Sequence, residues 1–479
     1  MRLRLVLGGA ALLLGACSLA PRYQPPAPPQ VSDFKEAAGG WMPAHPADGQ
    51  ARGPWWEVFS DARLTGLEKD LLEANPDLRA AAARYQEARQ IARQAYSNLF
   101  PTLNANASAT RERSSANAPL ASLLGTRAAA TYNDLLADLS LSWEIDLFGR
   151  LRNTAAAASA QAQASAADFG AVLLSLQAEL ATDYFSLRGD DATIQLLEDT
   201  IKQYDRAWEL TRNRYQEGTA AATDVDQADT QRQNARAQLA ATRLQRAQLE
   251  HAIAVLLGQI PAGFTLSPGT LASAPPVIDA GLPSTLLQRR PDVASAERAM
   301  AAANAQIGVA RAAWFPVFSL AGAAGFESTA GSSWLTAPSH YWSVGPSGQL
   351  PLLDAGARLA QNRQARAAYE EASANYRKTT LTAYQEVEDN LAGLHHLADE
   401  LRADLAASTS AQSSAYHADQ RYDAGVADYV EVTTTHAAAL QAQRDAITAR
   451  VAELNAAVAL VRATGGGWSA DQIKQPALP

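Results

Sequence analysis

The chain has almost no cysteine and no long apolar run beyond its N-terminus. Only one of its 479 residues is a cysteine, Cys17, so a disulfide framework within one chain is excluded. No run of 18 or more apolar residues follows the N-terminus, so the sequence predicts no transmembrane helix. If this protein spans a membrane, it must do so with β-strands.

Basic clusters and common catalytic motifs are also missing. The formal net charge is −9 at pH 7 and Lys and Arg do not cluster, which argues against a nucleic-acid partner. There is no H-E-x-x-H, P-loop, G-x-S-x-G or G-x-G-x-x-G motif. His395 and His396 are adjacent and point in different directions on a helix, and neither is expected to have a metal-ligating partner at i+4. The sequence therefore predicts no enzyme, no metal site and no cofactor.

The N-terminus predicts export and a lipid anchor. Residues 1–16 begin with arginines, continue with a short apolar stretch and end in small residues, as in a secretory signal peptide. Leu14-Gly15-Ala16-Cys17 resembles the bacterial lipobox, which implies covalent lipid on Cys17, and Ser18 is compatible with outer-membrane sorting. The alternative is an ordinary signal peptide with an incidental cysteine. Residues 17–61, rich in Pro and Gly, are predicted to form an extended tether.

The rest of the chain consists of two copies of one unit. Asn75-Pro76-Asp77 recurs as Arg290-Pro291-Asp292 at an offset of 215, and Arg214 to Gly218 recurs as Arg421 to Gly425 at an offset of 207. Two matches in the same order indicate a tandem duplication. The sequence predicts repeats at 62–262 and 285–466, a proline-rich linker at 263–284 and a C-terminal tail at 467–479.

Each repeat carries two segments in which apolar and polar residues alternate. Leu139, Leu141, Trp143 and Ile145 alternate with polar residues, the period-two pattern of a strand with one apolar face. Four strands per chain are predicted, at about 101–113, 135–148, 316–327 and 341–353. Four strands cannot close a membrane barrel, and an open sheet edge cannot lie in lipid. The chain must then oligomerise, and the strands alone leave two copies and three copies equally open.

Each repeat also contains a very long helix followed by a returning helix. Residues 150–217 lack proline, and their apolar residues follow a three-four spacing typical of a coiled-coil seam. At about 1.5 Å per residue such a helix is on the order of 100 Å long, too long for a compact domain. Gly218 and Gly425 are predicted to form the tips of two helical hairpins. The predicted helices span about 150–217 and 220–258 in the first repeat, and 356–423 and 428–463 in the second.

Several sequence blocks resemble the TolC-like outer membrane efflux family, and specifically its NodT-type lipoproteins. The lipobox, Asn75-Pro76-Asp77-Leu78 and Arg289-Arg290-Pro291-Asp292-Val293 carry the resemblance, and Trp143-Glu144-Ile145-Asp146-Leu147-Phe148-Gly149-Arg150 is the most distinctive block. The likeness covers nearly the whole chain. It implies a mixed α and β fold: a homotrimer with a 12-stranded transmembrane β-barrel, four strands per chain, an equatorial region and a long α-helical barrel.

The resemblance also implies what such a protein does. It would be the outer membrane channel of a tripartite efflux system, joined to a periplasmic membrane-fusion adaptor and an inner-membrane RND-type pump. It would lie in the outer membrane, extend into the periplasm, and need no cofactor beyond the lipid on Cys17. The alternative is a lipid-anchored periplasmic coiled-coil scaffold without channel activity. Neither the exported solute nor the particular adaptor and pump can be read from the sequence.

The resemblance places a gate and a docking surface at the periplasmic hairpin tips. Family members close the tunnel with acidic residues, and the usual aspartate position, nine residues after the tip glycine, is here Thr434. We therefore expect an acidic constriction formed by the residues Glu431, Asp428, Asp224 and Asp226. The alternative for these residues is a set of solvated charges at helix ends. The residues expected to dock the adaptor are Gly218, Thr219, Gly425 and Val426.

Overall fold

The computed structural model describes residues 18–25, 34–38, 54–115, 131–272, 274–276 and 289–468. The predicted signal peptide, Cys17, the second part of the predicted linker and nearly all of the C-terminal tail lie outside these ranges. Among the helices within them, none combines the length and the apolar character needed to cross a membrane.

Four strands form one antiparallel sheet in the order β1-β2-β3-β4. The register aligns the apolar positions of neighbouring strands: Leu139 lies opposite Ala105 on one side and Ala324 on the other, and Ala324 lies opposite Trp342. The predicted alternation therefore produces one continuous apolar face across the sheet. The strands are β1 (Thr102–Arg113), β2 (Thr131–Ile145), β3 (Val317–Ser328) and β4 (His340–Gln349).

The fourth strand is shorter than the sequence predicts. β4 ends at Gln349, not at 353, so the apolar side chains of Leu350 and Leu352 lie beyond the strand. Pro351 follows this end, and proline cannot donate a backbone hydrogen bond to a sheet. Pro346 is tolerated inside β4 opposite Leu320 because β4 is an edge strand, whose outer side has no partner in the described sheet.

Seven α-helices complete the described part of the chain. The helix before each first strand and the helix after each second strand lie side by side in the order of the strands: α2, α3, α5, α6. Farther from the sheet the order is α4, α3, α7, α6. The helices are α1 (Ala62–Ala74), α2 (Pro76–Ser97), α3 (Arg150–Gln216), α4 (Ala222–Leu256), α5 (Pro291–Ala312), α6 (Ala357–Asp423) and α7 (Tyr429–Ala463).

The Trp143–Arg150 block forms the corner between β2 and α3. Arg150 Nη2 lies 2.6 Å from Glu144 Oε2, and Asp146 accepts hydrogen bonds from the backbone N–H groups of Leu151 and Arg152. A carboxylate in this position satisfies donors that the first turn of a helix leaves free. Gly149 supplies the positive φ of 77° at the start of α3. The block thus converts a strand into a helix of 67 residues.

The predicted tether is partly wrong, because its described segments 18–25, 34–38 and 54–60 all contact the folded body. Trp55–Phe59 forms a 3-10 helix in which Trp55 is 6% exposed, and the Trp55 indole N–H donates to Gln177 Oε1 at 3.2 Å. Phe34 is also buried in the main hydrophobic core. Burial of such aromatic side chains is strongly favourable, and it holds the Trp55 segment against α3 and the Phe34 segment against α6. The proline and glycine content of the sequence does not reveal that these segments are buried.

The start of the linker is also fixed to the helices, by buried charges. Asp191 on α3 accepts from Arg188 at 2.8 Å, from Arg246 on α4 at 2.6 Å and from the backbone N–H of Gly269 at 3.0 Å. Arg188 in turn donates to the carbonyl of Ser267 at 2.8 Å. Because each charge has several partners, the network compensates the cost of burying it. The crossing between the two repeats is therefore anchored midway along the molecule.

One buried charge has no such compensation. Glu68 on α1 is 0% exposed, and neither carboxylate oxygen has a hydrogen-bond partner within the described ranges. Burial raises the pKa of Glu68 from 4.5 to about 9, so the folded chain holds this side chain neutral at pH 7. The unfolded chain ionises near its ordinary value. The contribution of neutral Glu68 to folding stability is therefore fully present below pH 4.5, and it is lost as the pH rises towards about 9.

We expect Glu68→Met to be more stable than the parent chain, by roughly 3 kcal/mol at pH 7, since each pKa unit corresponds to about 1.4 kcal/mol. The difference should be small near pH 4.5 and grow up to about pH 9. Thermal unfolding of the detergent-solubilised protein across this pH range measures it. Glu73→Met, at an exposed position of the same helix, is the matched control. A gain that does not change with pH would contradict the assignment of a neutral Glu68.

Candidate gate at the hairpin tips

The two hairpin tips share one backbone geometry. Gly218 has φ +76° and Gly425 has φ +72°, and both residues are exposed. The next residue closes each turn: Thr219 N–H donates to the Arg214 carbonyl at 2.8 Å, and Val426 N–H donates to the Arg421 carbonyl at 3.0 Å. Positive φ is the conformation that glycine adopts without steric cost. The predicted tip glycines therefore have a structural role in both hairpins.

The four residues expected to dock an adaptor form the two exposed ends of the molecule opposite the sheet. Val426 is 65% exposed, and Thr219 is exposed while its hydroxyl donates to the carbonyl of its own turn. Val430, one turn into α7, is 51% exposed as well. The second tip is therefore more apolar than the first. Exposed apolar side chains at the end of a hairpin are a plausible contact for a partner protein.

The structure separates the four predicted acidic residues into different roles. Asp224 accepts from the Ala221 backbone N–H at 3.3 Å and so caps α4, whereas Asp226 is exposed. Asp428 is the N-cap residue of α7 but makes no side-chain capping bond. Glu431, in the first turn of α7, lies 2.5 Å from Arg421 Nη1 across the tip. A constriction built on Glu431 therefore includes a basic residue that the sequence analysis did not name.

A small hydrophobic cluster joins the two hairpins just behind the tips. Tyr429 and Val432 of α7 are buried there against Ala228 of α4, with Trp208 of α3 packed beside them. Burial raises the pKa of the Tyr429 hydroxyl to about 12, so it stays protonated. This cluster is separate from the main core, which lies along α1, α3, α6 and α7 nearer the sheet. The tips are thus held by far less buried apolar surface than the middle of the molecule.

Arg214 provides a polar link between the same hairpins. Its guanidinium lies 3.7 Å from Asp423 and 4.7 Å from the centroid of the Tyr422 ring, both on the other hairpin. Asp423 is well exposed, so the ion pair contributes little to stability. The cation–π contact adds the small stabilisation that such contacts give at a protein surface. Arg214 and Tyr422 belong to the duplicated Arg-Tyr motif, and this repeat is the feature of the sequence that points to both residues.

The expectation that His395 and His396 lack a ligating neighbour is wrong. Asp399 lies at i+4 from His395, and the potential ligand atoms of these three exposed residues lie within 4.8 Å of one another. Asp399 is already bonded to Arg402, which competes for the carboxylate. The group lies in the middle of α6, well away from the tips. It plays no part in the gate.

Comparison with known proteins identifies the family. The family model described as "Outer membrane efflux protein" matches residues 67–259 and 282–466. The chain belongs to the outer membrane efflux protein family. The two matched stretches lie within a few residues of the two predicted repeats. The resemblance seen in the sequence is thereby confirmed, and this efflux protein is a channel component located in the outer membrane.

Relatives and solved structures agree over almost the full length. The toluene efflux pump outer membrane protein TtgF of Pseudomonas putida is 34% identical over 467 residues, which cover 96% of this chain and 95% of TtgF. The cation efflux system protein CusC of Escherichia coli is 31% identical over 461 residues, 96% of this chain and 97% of CusC. The family is one of efflux channels and not of enzymes.

Two solved channels have the same fold. The outer-membrane channel OprN superposes with a TM-score of 0.88 at 30% identity, covering 94% of this chain and 100% of OprN. The Campylobacter jejuni CmeC outer membrane channel superposes with a TM-score of 0.89 at 25% identity, covering 95% of this chain and 96% of CmeC. The efflux protein therefore shares with them a helix-dominated mixed fold.

Proposed function

We propose that three copies of this chain form one continuous duct, a 12-stranded β-barrel in the outer membrane extended by a helical barrel into the periplasm. The observation that carries the proposal is the four-stranded sheet, which has an exposed apolar face and two edges unpaired in the described chain. Both features are costly in an isolated copy. A closed ring in lipid removes both costs.

The apolar face of the sheet matches a lipid-facing surface. Leu103, Leu139, Trp342 and Val344 share that face and are 52–70% exposed. Nothing in the described chain covers them. A sheet face this apolar is unfavourable in water and favourable against hydrocarbon. The opposite face carries polar contacts such as the 2.7 Å bond from the Asn106 amide to Asp138, as expected of a channel interior.

The edges of the sheet supply the reason for closure. The pairing is antiparallel throughout, so β1 and β4 run in opposite directions, and β1 of one copy is oriented to pair antiparallel with β4 of the next. The same contact repeated around an axis is heterologous and closes into a ring. The row of helices would close together with the sheet, because α6 lies at the end of that row on the β4 side. Three copies, rather than two, are supported by the family resemblance.

The transported solute and the partners follow from the relatives. Proteins similar to this one are named for toluene, solvent, antibiotic and cation efflux, so small solutes of several classes are the proposed cargo. A duct without catalytic chemistry needs an energised partner. We expect an inner-membrane RND-type pump and a periplasmic adaptor docked at Gly218, Thr219, Gly425 and Val426.

The proposal is tested by purifying the chain from outer membranes in detergent and reconstituting it in planar bilayers. We expect a particle of three chains by native mass spectrometry and discrete ion conductance in the bilayer. Trimeric size with no conductance would indicate a closed resting gate, so conductance is also measured with Arg214→Ala, which removes one polar contact between the hairpins. A monomer that stays soluble without detergent and conducts nothing would instead support the periplasmic scaffold.

Lipid attachment at Cys17 is a separate part of the proposal. The lipobox resemblance supports it, and the residue lies outside the described ranges. We expect the intact mass of the mature protein to exceed that of its polypeptide by the mass of the lipid chains. The Cys17→Ala variant should lack this excess. An identical mass difference in both proteins, or none in the parent, would contradict lipidation.

The acidic gate at Glu431 is also proposed. Repeated by symmetry, three Glu431 side chains would form a ring that favours cations. Arg421, 2.5 Å away, partly neutralises each one. The pair is exposed, so the interaction energy between the two charges is small. Each charge therefore has its own effect on the ions that pass.

We therefore expect Glu431→Ala to lower cation selectivity and Arg421→Ala to raise it. The reversal potential of single channels in a KCl gradient measures both changes. Glu400→Ala, an exposed acidic position on α6 far from the tips, is the matched control and should leave the potential unchanged. If Glu431→Ala has the selectivity of the parent channel, the residue is a solvated helix-end charge and not part of the constriction.

A further inference from the structure

A cavity of about 160 Å³ lies between the two hairpins, behind the hydrophobic cluster at the tips. Both hairpins contribute to it: Gln203 and Tyr204 from α3 and Gln231 from α4 face Asp419 from α6 and Tyr429 and His436 from α7. Its walls come from a single chain. An apolar cavity of about 150 Å³ is enough to hold a benzene molecule. The inter-hairpin cavity therefore has room for a small organic ligand.

One wall carries a polar group that lacks a partner. Tyr204 is 7% exposed, and its hydroxyl makes no hydrogen bond to any part of the chain that the structure describes. A buried hydroxyl without a partner is destabilising, because it has lost water and gained nothing. Tyr204 is one of the residues that line the cavity, which is large enough for a ligand.

The remaining polar atoms include several hydrogen-bond acceptors. Asp419 Oδ1 lies 2.8 Å from His436 Nε2. When the neutral imidazole donates from Nε2 to this carboxylate, its Nδ1 is left as an acceptor. The side-chain oxygens of Gln203 and Gln231 can also accept. Among the residues that line the cavity, the carboxylate of Asp419 is the charged group and none is a lysine or arginine.

Aromatic rings supply the rest of the site. Tyr204 packs edge-to-face against the His436 ring with centroids 6.3 Å apart, and Tyr429 lies on the adjoining wall. Aromatic faces attract cations as well as apolar groups. The nearby Arg232, which follows Gln231 on α4, is held by Asp229 at 2.5 Å and stacks 4.1 Å from the Trp208 ring, so its charge is already matched.

From these features we propose that the inter-hairpin cavity binds a small primary ammonium compound with an apolar or aromatic body. The ammonium group donates to Asp419 and to the neutral acceptors, and the body fills the space between the two tyrosines. The Tyr204 hydroxyl gains its missing partner. Because the walls belong to both hairpins, a bound molecule joins α3 to α7 and stabilises their present arrangement. Binding is a property of the folded chain and does not depend on the channel function.

Benzylammonium is a suitable probe, and its binding to the full-length protein in detergent is measured by saturation-transfer NMR and calorimetry. We expect saturable binding at one site per chain. Asp419→Asn should weaken it at least about tenfold, since a hydrogen bond to a charged group is the strongest contact available. Tyr204→Phe, which keeps the ring and removes the unpartnered hydroxyl, should weaken it by roughly threefold to tenfold.

Asp445→Asn is the matched control, because Asp445 is an exposed carboxylate on α7 that lies outside the cavity. It should bind the probe as the parent does. Benzyl alcohol, which has the same body without the charge, should bind far more weakly. The proposal is overturned if benzylammonium does not bind, if benzyl alcohol binds equally well, if Asp419→Asn has no effect, or if Zn²⁺ saturates the site and benzylammonium does not. Conductance measurements test the channel separately, so either conclusion can fail alone.

Discussion

The need to pair backbone N–H and C=O groups at the two edges of one sheet determines most of this structure. β1 and β4 each present an open edge in the described chain, and the apolar face between them belongs in hydrocarbon, where water cannot satisfy those edges. In the proposed function the sheet is completed by neighbouring copies of the chain. Four helices follow this arrangement, α2, α3, α5 and α6, because each adjoins a strand and keeps its place in the row.

The packing of the helices divides the molecule into a firmly held middle and weakly held tips. The main core and the Asp191 network join α3, α4 and the linker midway along the molecule. The tips share a much smaller cluster and one exposed ion pair, Arg214 with Asp423. Local stability follows the amount of buried contact, so the tips are the part of the described chain that moves at least cost.

Local patterns made much of the fold predictable. Period-two alternation located the four strands, the long proline-free stretches located α3 and α6, and glycines that require positive φ located both tips. Contacts that depend on tertiary structure were not predictable. Glu431 meets Arg421 only because a turn brings them together, and Trp55 is buried only because α3 lies beside it. The pairing of His395 with Asp399 could have been predicted, because residues four apart on a helix lie on the same face.

The same division explains why polar groups near the tips are incompletely satisfied. A closely packed interface would leave no cavity beside Tyr204, and two hairpins that separate in the proposed gating could not pack that closely. The residual space lies between α3 and α7, the pair of helices at which the two hairpins meet. In the proposed opening, the unsatisfied hydroxyl and the single carboxylate at that junction become exposed to water, which makes them tolerable. In the proposed gating, the movable tips and the incompletely filled junction therefore have one cause, which is that the two hairpins separate.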